Sequence, residues 1–562
     1  MIATMMNWCY ITILAYISGS VFSKLLNRMT GYWLRHWETV IVSGLMLLTV
    51  YAEIFSLFAG VGLFANIIIC VLAVIGLLYC KDNLLEKIIQ TRKEWEKNRW
   101  KAIWNILLIC GIVLLFAAFS CQRAIHADTD GYHATAIRWI EEYGVVKGLG
   151  NLYNRLAYNS AFLCLQALFS WKFIINQSMH VMNGYIACIM VLYSILKLRE
   201  SSFVCSKGNV FRLLLLFYII YPGTLIVMAS PNTDHMTLLY VMFIIGKWCD
   251  YLDDNEKSAI PYAVLAILAV FTISLKLSAG LLIILVAKPG IIMIQQKKWN
   301  QIVLFLCMGA IVICPWLIRN VMISGYLVYP YTAIDLFHVD WKMLPYMVNY
   351  DKNEIMVYGR GLYDVNKSRE SILKWVPVWW NEQNIWIRSG VFLNIILAPA
   401  GAVMAWKAKC RKAWDEASVI LLTVILFCGW FFTAPLARYG LVYTLLFPTI
   451  VIQNMFRRSQ GSIILRRSMI LVTIGLFVWI MGQAFMLDNI PLKRSAYYIS
   501  RECREVEWDG IQVYIPVEDG NMGYYYFPST QHESVLNYIE LRGNVLKDGF
   551  RIKEEYKNAS VD

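Results

Sequence analysis

Carboxylates, histidines and isolated cations are scarce in this sequence and gather at the ends of its apolar segments. The densest group reads His126-Ala-Asp128-Thr-Asp130-Gly-Tyr132-His133. From Tyr132 onward, Ala136, Ile137, Ile140 and Tyr143 recur at helical spacing with Arg138, Glu141 and Glu142 opposite. That pattern predicts a short amphipathic helix lying at a membrane surface. Asp130 stands at its N-cap, where a side-chain oxygen would satisfy free backbone N–H groups. Asp128 lies two residues earlier, and capping explains it less well. A carboxylate just beyond a helix end, at a lipid–water boundary, is suited to abstracting a proton. Asp128 and Asp130 are therefore the candidate catalytic carboxylates. His126-x-Asp128-x-Asp130-x-x-His133 also resembles a metal-ligand cluster. Alternate residues share one side only in an extended chain, and Gly131 interrupts the alternation, so no metal ligand is assigned. His133 reads as a hydrogen-bonding or interface residue.

Asp234 and His235 form a second polar point, in the tight turn Ser230-Pro-Asn-Thr-Asp234-His235. Asp234 reads either as the cap of the following helix or as a group meeting the first loop at the membrane surface. Lys276 stands in Phe271-Thr-Ile-Ser-Leu-Lys276-Leu-Ser-Ala-Gly280, between apolar stretches and with no acid beside it in sequence. An ionisable group at membrane depth is costly and is by default a functional candidate, although a lysine at a helix end can also snorkel to water. Arg438, in Ala434-Pro-Leu-Ala-Arg438-Tyr439-Gly440, and Arg319, after Pro315-Trp316, end other apolar segments. Three such cations, Lys276, Arg319 and Arg438, could together hold a phosphate or pyrophosphate, or each could pair with a lipid headgroup. Tyr132, His133, Asp234, His235 and Tyr439 adjoin these charges and are assigned to substrate contacts.

The elements that must position these groups follow from composition. The chain has 562 residues, 59% apolar and only 16% charged, with a mean hydropathy of +0.53. Soluble chains run at ~45–50% apolar and ~25% charged, so a soluble multidomain enzyme and a disordered protein are both excluded. Apolar stretches long enough to span a bilayer fall near 8–24, 38–58, 60–79, 102–121, 178–197, 211–229, 236–249, 259–273, 280–294, 301–319, 389–406, 417–433, 440–455 and 468–487. The expected fold is an all-α polytopic membrane protein with about 14 transmembrane helices. Trp8 to Leu26 lacks a basic leader and a small-residue cleavage site and reads as a retained span. The 14 cysteines include no Cys-x-x-Cys pair, so a disulfide framework or zinc site is not indicated.

The net charge of +13 reports orientation rather than nucleic acid. Basic residues crowd 81–101 and recur at Lys197/Arg199/Lys207/Arg212, Lys297/Lys298, Lys407/Lys409/Arg411/Lys412 and Arg457/Arg458/Arg466/Arg467. All can lie in the cytoplasm on one alternating path, provided 158–172 forms an interfacial or re-entrant helix. The chain then divides into N-terminal helices (1–121), a first outer loop (122–177), a transmembrane core (178–319), an aromatic-rich outer loop (320–388), C-terminal helices (389–487) and an outer tail (488–562). Aromatics of the 320–388 loop, among them Trp375, Trp379 and Trp386, suit either an interfacial belt or a sugar-binding surface. In the tail, Ile511 to Val517 alternates, Glu518-Asp-Gly-Asn521 supplies a turn and Tyr524 to Phe527 follows, which predicts a hairpin. With Ile539-Glu-Leu-Arg-Gly543 it forms a small mixed α/β domain. Six of the seven histidines lie in or beside outer segments, so function is expected on that face.

Several of these residues carry a resemblance. Asp128-Thr-x-x-Tyr132-His133, Ile137-Arg-Trp-Ile140, Gly148-Leu-Gly-Asn-Leu152, Pro315-Trp316…Arg319-Asn320…Ser324-Gly-Tyr326…Tyr329-Pro330, and in the tail Ile539-Glu-Leu-Arg-Gly543 with Asp548-Gly-Phe550, span most of 105–552. Together they resemble the multispanning GT-C glycosyltransferases, specifically a bacterial membrane-protein family of uncharacterised substrate. The resemblance implies transfer of a sugar from a polyprenyl-phosphate donor at the outer leaflet to a glycan, lipid or protein acceptor, in the bacterial cytoplasmic membrane. An acidic residue of the first outer loop would serve as base, a role that falls on Asp128; Asp130 lies one residue beyond the matching pattern. Some branches of that superfamily use a divalent cation, which leaves a metal cofactor open. The physical chemistry is compatible: a lipid tail requires a membrane enzyme, a phosphate leaving group requires cations, and one-step attack by an activated hydroxyl would invert the anomeric centre. Two alternatives remain, a flippase or transporter of lipid-linked sugar, and a polysaccharide polymerase or ligase using a lipid pyrophosphate.

Overall fold

A computed structural model describes residues 1–410, 414–456, 462–487, 489–493, 498–518 and 520–557. Arg411, Lys412, Arg457, Arg458 and Asp519 of the basic groups and the tail turn lie outside the described residues.

Every one of the fourteen apolar segments lies largely in helix. Nine described helices are long and apolar enough to cross a membrane, from Ile2–Thr30 to Ile463–Phe485. The protein is thus a polytopic membrane protein. The other five helical segments, Met182–Glu200, Lys207–Ile220, Thr233–Asp253, Ala259–Leu275 and Ala437–Met455, are mostly buried inside the bundle. Two segments differ from their expected form. The apolar run 211–229 breaks at Tyr221, because the residue before Pro222 is pushed to extended geometry. The run 280–294 begins as tight 3₁₀ turns over Leu277–Val286 before continuing as Ala287–Gln295.

The stretch 158–172 contributes only Ala161–Leu168 as a sustained helix, and all eight of its residues are buried. Eight residues rise roughly 12 Å, far short of the ~30 Å hydrocarbon thickness. The helix of the first loop is Ala134–Glu142. Its polar side faces water only at Glu142, contrary to the surface-lying expectation, because the tail covers Arg138 and Glu141. Arg138 donates to the carbonyls of Tyr524 and Tyr525, both at 2.7 Å, and Thr135 donates to that of Gly523 at 2.5 Å. Glu141 accepts from Ser178 and Tyr524 at 2.6 and 2.5 Å.

The tail holds two antiparallel strand pairs, Cys503–Trp508 with Ile511–Pro516 and Ile539–Leu541 with Phe550–Ile552. The hairpin therefore runs backward from Ile511, not forward to Tyr524. Asp509-Gly510, both with positive φ, makes the two-residue turn whose twist suits a hairpin. Residues after Gly520 are spent on the first loop instead: the Gly523 N–H donates to the Asp130 carbonyl at 2.8 Å.

Several motif residues far apart in sequence meet where the tail docks. Phe550 N–H donates to the Lys147 carbonyl at 2.9 Å, Asn151 donates to the Trp341 carbonyl at 2.9 Å, and Arg542 pairs with Asp340 at 2.7 Å. Gly148 has φ +66°, and a Cβ there would lie 2.0 Å from the Phe550 carbonyl oxygen. A Gly148→Ala substitution is thus both strained and occluded, and costs on the order of 1–3 kcal/mol. The expected outcome is a loosened tail: limited proteolysis in detergent should cut within 498–557 faster than in the parent protein, with the helical bundle intact.

Candidate active site

Four charged side chains from four separate segments converge. The first comes from the loop after the Arg99–Ser120 helix. Thr129–His133 is a single π-helical turn, in which Ala134 N–H reaches back to the Thr129 carbonyl, and it continues directly into Ala134–Glu142. Such turns re-aim side chains and recur at functional sites. Asp128 precedes the turn already in helical geometry, and its N–H is accepted by His126 Nδ1 at 3.2 Å.

The second is Asp234. Asn232, not Asp234, caps the Thr233–Asp253 helix: its Oδ1 accepts from the Asp234 and His235 N–H groups at 2.9 and 3.2 Å. The buried Asn183 amide holds this turn by donating to the Ser230 and Asn232 carbonyls, both at 2.8 Å. Capping by Asn232 leaves the Asp234 carboxylate free for a cation. That cation is Lys276, which sits in the extended break between Ala259–Leu275 and Leu277–Val286 and pairs with Asp234.

Arg438 is the fourth, in the first turn of Ala437–Met455. Two indoles hold the preceding turn, Trp379 donating to the Pro435 carbonyl at 2.7 Å and Trp430 to that of Leu436 at 3.0 Å. Arg438 Nη1 lies 2.8 Å from Asp128 Oδ2, and its Nε lies 3.8 Å from Asp234 Oδ2. Tyr439 is wedged among the cations, its ring centroid 3.8 Å from the Lys276 ammonium and its hydroxyl 3.2 Å from Arg438 Nη2. The arrangement is an alternating chain, Asp128–Arg438–Asp234–Lys276. Its carboxylates are nearly covered, at 12% and 6% side-chain exposure, whereas Arg438 is 38% exposed. The guanidinium is the group a ligand meets first.

Burial pushes the Asp128 carboxyl up, but the Arg438 guanidinium overrides it and holds the group at about 2. Burial also lowers His126, and it drives His133 down to about 3, so His133 is neutral at physiological pH. Tyr132, half-buried, is held well above its ordinary value by desolvation. The His133 ring packs at 4.2 Å against Tyr132 and has no hydrogen-bond partner among the described residues.

Other assigned residues fall elsewhere. Asp130 is not an N-cap, since the chain is already helical around it. Its carboxylate turns to the tail, where Arg501 Nη2 donates to Oδ2 at 2.8 Å. Burial raises Asp130 despite that partner. Arg319 is buried and shares no ion pair with this cluster among the described residues; it is bonded to Ser56 and, at 3.0 Å, to Asn159 Oδ1. His235 points into the bundle, stacked on Tyr218 at 5.5 Å. Trp375 and Trp379 form neither belt nor open platform; both are 1% exposed.

The donor set does not suit a divalent cation. Asp128 and Asp234 face a guanidinium and an ammonium, and no three metal-capable side chains come together among the described residues.

Asn232 and Arg501 were missed by sequence reasoning. Pro-Asn-Thr before an apolar helix carries an N-cap signature that points to Asn232. Arg501 has no such signal, being 371 residues from its partner.

The sequence model of a family described as "Domain of unknown function (DUF8201)" matches residues 1–445. The chain belongs to that family. The match includes all four charged residues and Tyr439, while Arg501 lies beyond it. No curated protein and no solved structure matches the chain.

The Asp128–Arg438 pair has a defined pH signature. With the folded value below the ordinary ~3.9, its stabilisation is complete above that value and is lost as pH falls through about 2. Melting temperatures in detergent should therefore separate parent and Asp128→Asn most widely above pH 5. The two curves should converge toward pH 2. A gap of constant width would contradict the pairing.

Proposed function

We propose that this protein is an integral-membrane glycosyltransferase. It moves a sugar from a polyprenyl-phosphate donor to an acceptor hydroxyl at the outer face, with inversion. The observation that carries the reading is the partly open cluster of Asp128, Arg438, Asp234 and Lys276, within a bundle that offers lipid access on its sides. Lys276 and Arg438 stabilise the departing phosphate, and Asp128 takes the proton of the attacking hydroxyl. Sugar C1 exchanges its bond to phosphate oxygen for one to the acceptor oxygen through a cation-like transition state. The resemblance of Asp128-Thr-x-x-Tyr132-His133 and the tail motifs to GT-C enzymes supports the same assignment.

The fourteen-crossing path belongs to this reading. It puts the first loop, the 230–235 turn, Lys276, Arg438 and the tail on one side, in agreement with the pairs that join them. We assign that side to the exterior of a bacterial cytoplasmic membrane, from the lysines and arginines crowding the opposite connections.

One observation favours a second reading. Lys247 and Glu38 form a 2.9 Å ion pair with side chains only 2% and 1% exposed, and interior charges of this kind also line transport pathways. Movement of a lipid-linked sugar across proteoliposomes, with no new glycosidic bond, would favour a flippase.

Asp128→Asn should lower sugar transfer from an isoprenyl-phosphate donor by ~10²–10⁴-fold, with size-exclusion behaviour and tail protection retained. Undiminished transfer would remove Asp128 as the base. Lys276→Met should mainly raise the donor concentration required.

A further inference from the structure

The resting geometry poses a problem for the proposed chemistry. A base must accept a proton near neutral pH, and an aspartate held at about 2 is a poor acceptor. Its Oδ2 is also occupied, 2.8 Å from Arg438 Nη1. The same guanidinium is the most exposed member of the cluster and the one best placed to receive an anion.

Charge balance links the two facts. Asp128 and Asp234 neutralise Arg438 and Lys276, so the buried cluster is neutral as it stands. A bound phosphodiester adds one negative charge in a site where charge is poorly screened. Arg438 can satisfy that anion with its planar fork, while Lys276 keeps Asp234. Asp128 then loses its cation but remains nearly covered, and burial without a partner favours the protonated carboxyl.

We propose that Arg438 is a latch on Asp128: phosphodiester binding withdraws the guanidinium, and Asp128 becomes able to take a proton. This rests on the glycosyltransferase reading for its purpose, and it narrows the donor to a singly charged phosphodiester. A lipid pyrophosphate would bring at least two charges to a site with one releasable cation. During turnover the acceptor hydroxyl supplies the proton to Asp128 as its oxygen bonds to C1, and the lipid leaves as a phosphate monoester. Without donor, the paired carboxylate does not activate water.

The groups facing Asp128 come from every element packed against it. Arg438 and Tyr439 approach from one helix, Lys276 and Asp234 from two other segments, and His126, Tyr132 and His133 from its own loop. Both histidines are lowered by burial, Tyr132 is raised by it, and the cations stay charged in the range of interest.

The test uses purified full-length protein and a dialkyl phosphate, a diester that does not itself titrate between pH 5 and 7. With no acceptor hydroxyl present the complex draws its proton from solvent, so affinity should rise as pH falls through this range, by up to ~10-fold per unit, whereas at higher pH Asp128 stays ionised and open to the acceptor's proton. Asp128→Asn should bind the diester with no such slope. Calorimetry of the parent protein in two buffers of different ionisation enthalpy should report proton uptake on binding, a readout independent of whether the variant folds. A flat profile without proton uptake, or a slope that survives in Asp128→Asn, would overturn the latch even if transfer still depends on Asp128. Absence of any diester binding would overturn the donor assignment as well.

Discussion

Charge taken out of water is costly to leave unpaired in this molecule. A carboxylate or ammonium taken out of water loses several kcal/mol of solvation, and only a well-placed opposite charge offsets the loss. The Asp128–Arg438–Asp234–Lys276 chain is a solution to that constraint at one end of the bundle. It ties together the first loop, the tight turn before Thr233–Asp253, the break after Ala259–Leu275 and the start of Ala437–Met455. At the other end of the same helices the constraint is met again by Lys247–Glu38, Arg212–Asp250 and the pairing of Lys207 with Asp253 and Glu416. The difference lies in access. Lys247 and Glu38 are sealed, whereas Arg438 is more than a third exposed and can exchange one anion for another.

The tail and the aromatic loop serve this cluster indirectly. Arg501 and Gly523 grip Asp130 through its side chain and its carbonyl, which orients the π-helical turn immediately after Asp128. Trp379 reaches from the 320–388 loop to the Pro435 carbonyl, in the turn that leads into Arg438. Trp375 and Trp379 are rigid struts instead of a sugar platform, and a strut fits a site in which two charges must hold register across separate helices. Asp351 organises the same loop, accepting from Tyr158, from Tyr329 at 2.8 Å and from Asn154 at 2.9 Å.

Much of the architecture was legible in the chain because its causes are local. Apolar runs become helices because a backbone away from water must satisfy its own hydrogen bonds, and all fourteen lie largely in helix. The Asp509-Gly510 turn is legible too, but the alternation after Ile511 is the stronger local pattern and points forward instead of back. Asp130 departs from expectation for a related reason. An aspartate before an amphipathic helix looks like a cap, and nothing nearby in sequence shows that the helix has already begun.

Composition alone makes this a membrane protein of many apolar helices. It also singles out Asp128, Asp234, Lys276 and Arg438, because charge is so scarce that each isolated group is conspicuous. Which of these belong together depends on how the helices pack. Arg319 had the same sequence signature as Lys276 and Arg438, an isolated cation at a helix end, but it is buried against Ser56 and Asn159. Local patterning reflects solvent preference residue by residue, whereas the pairing of charges depends on which helix ends become neighbours. That is set by packing between segments up to hundreds of residues apart, and no local pattern records it.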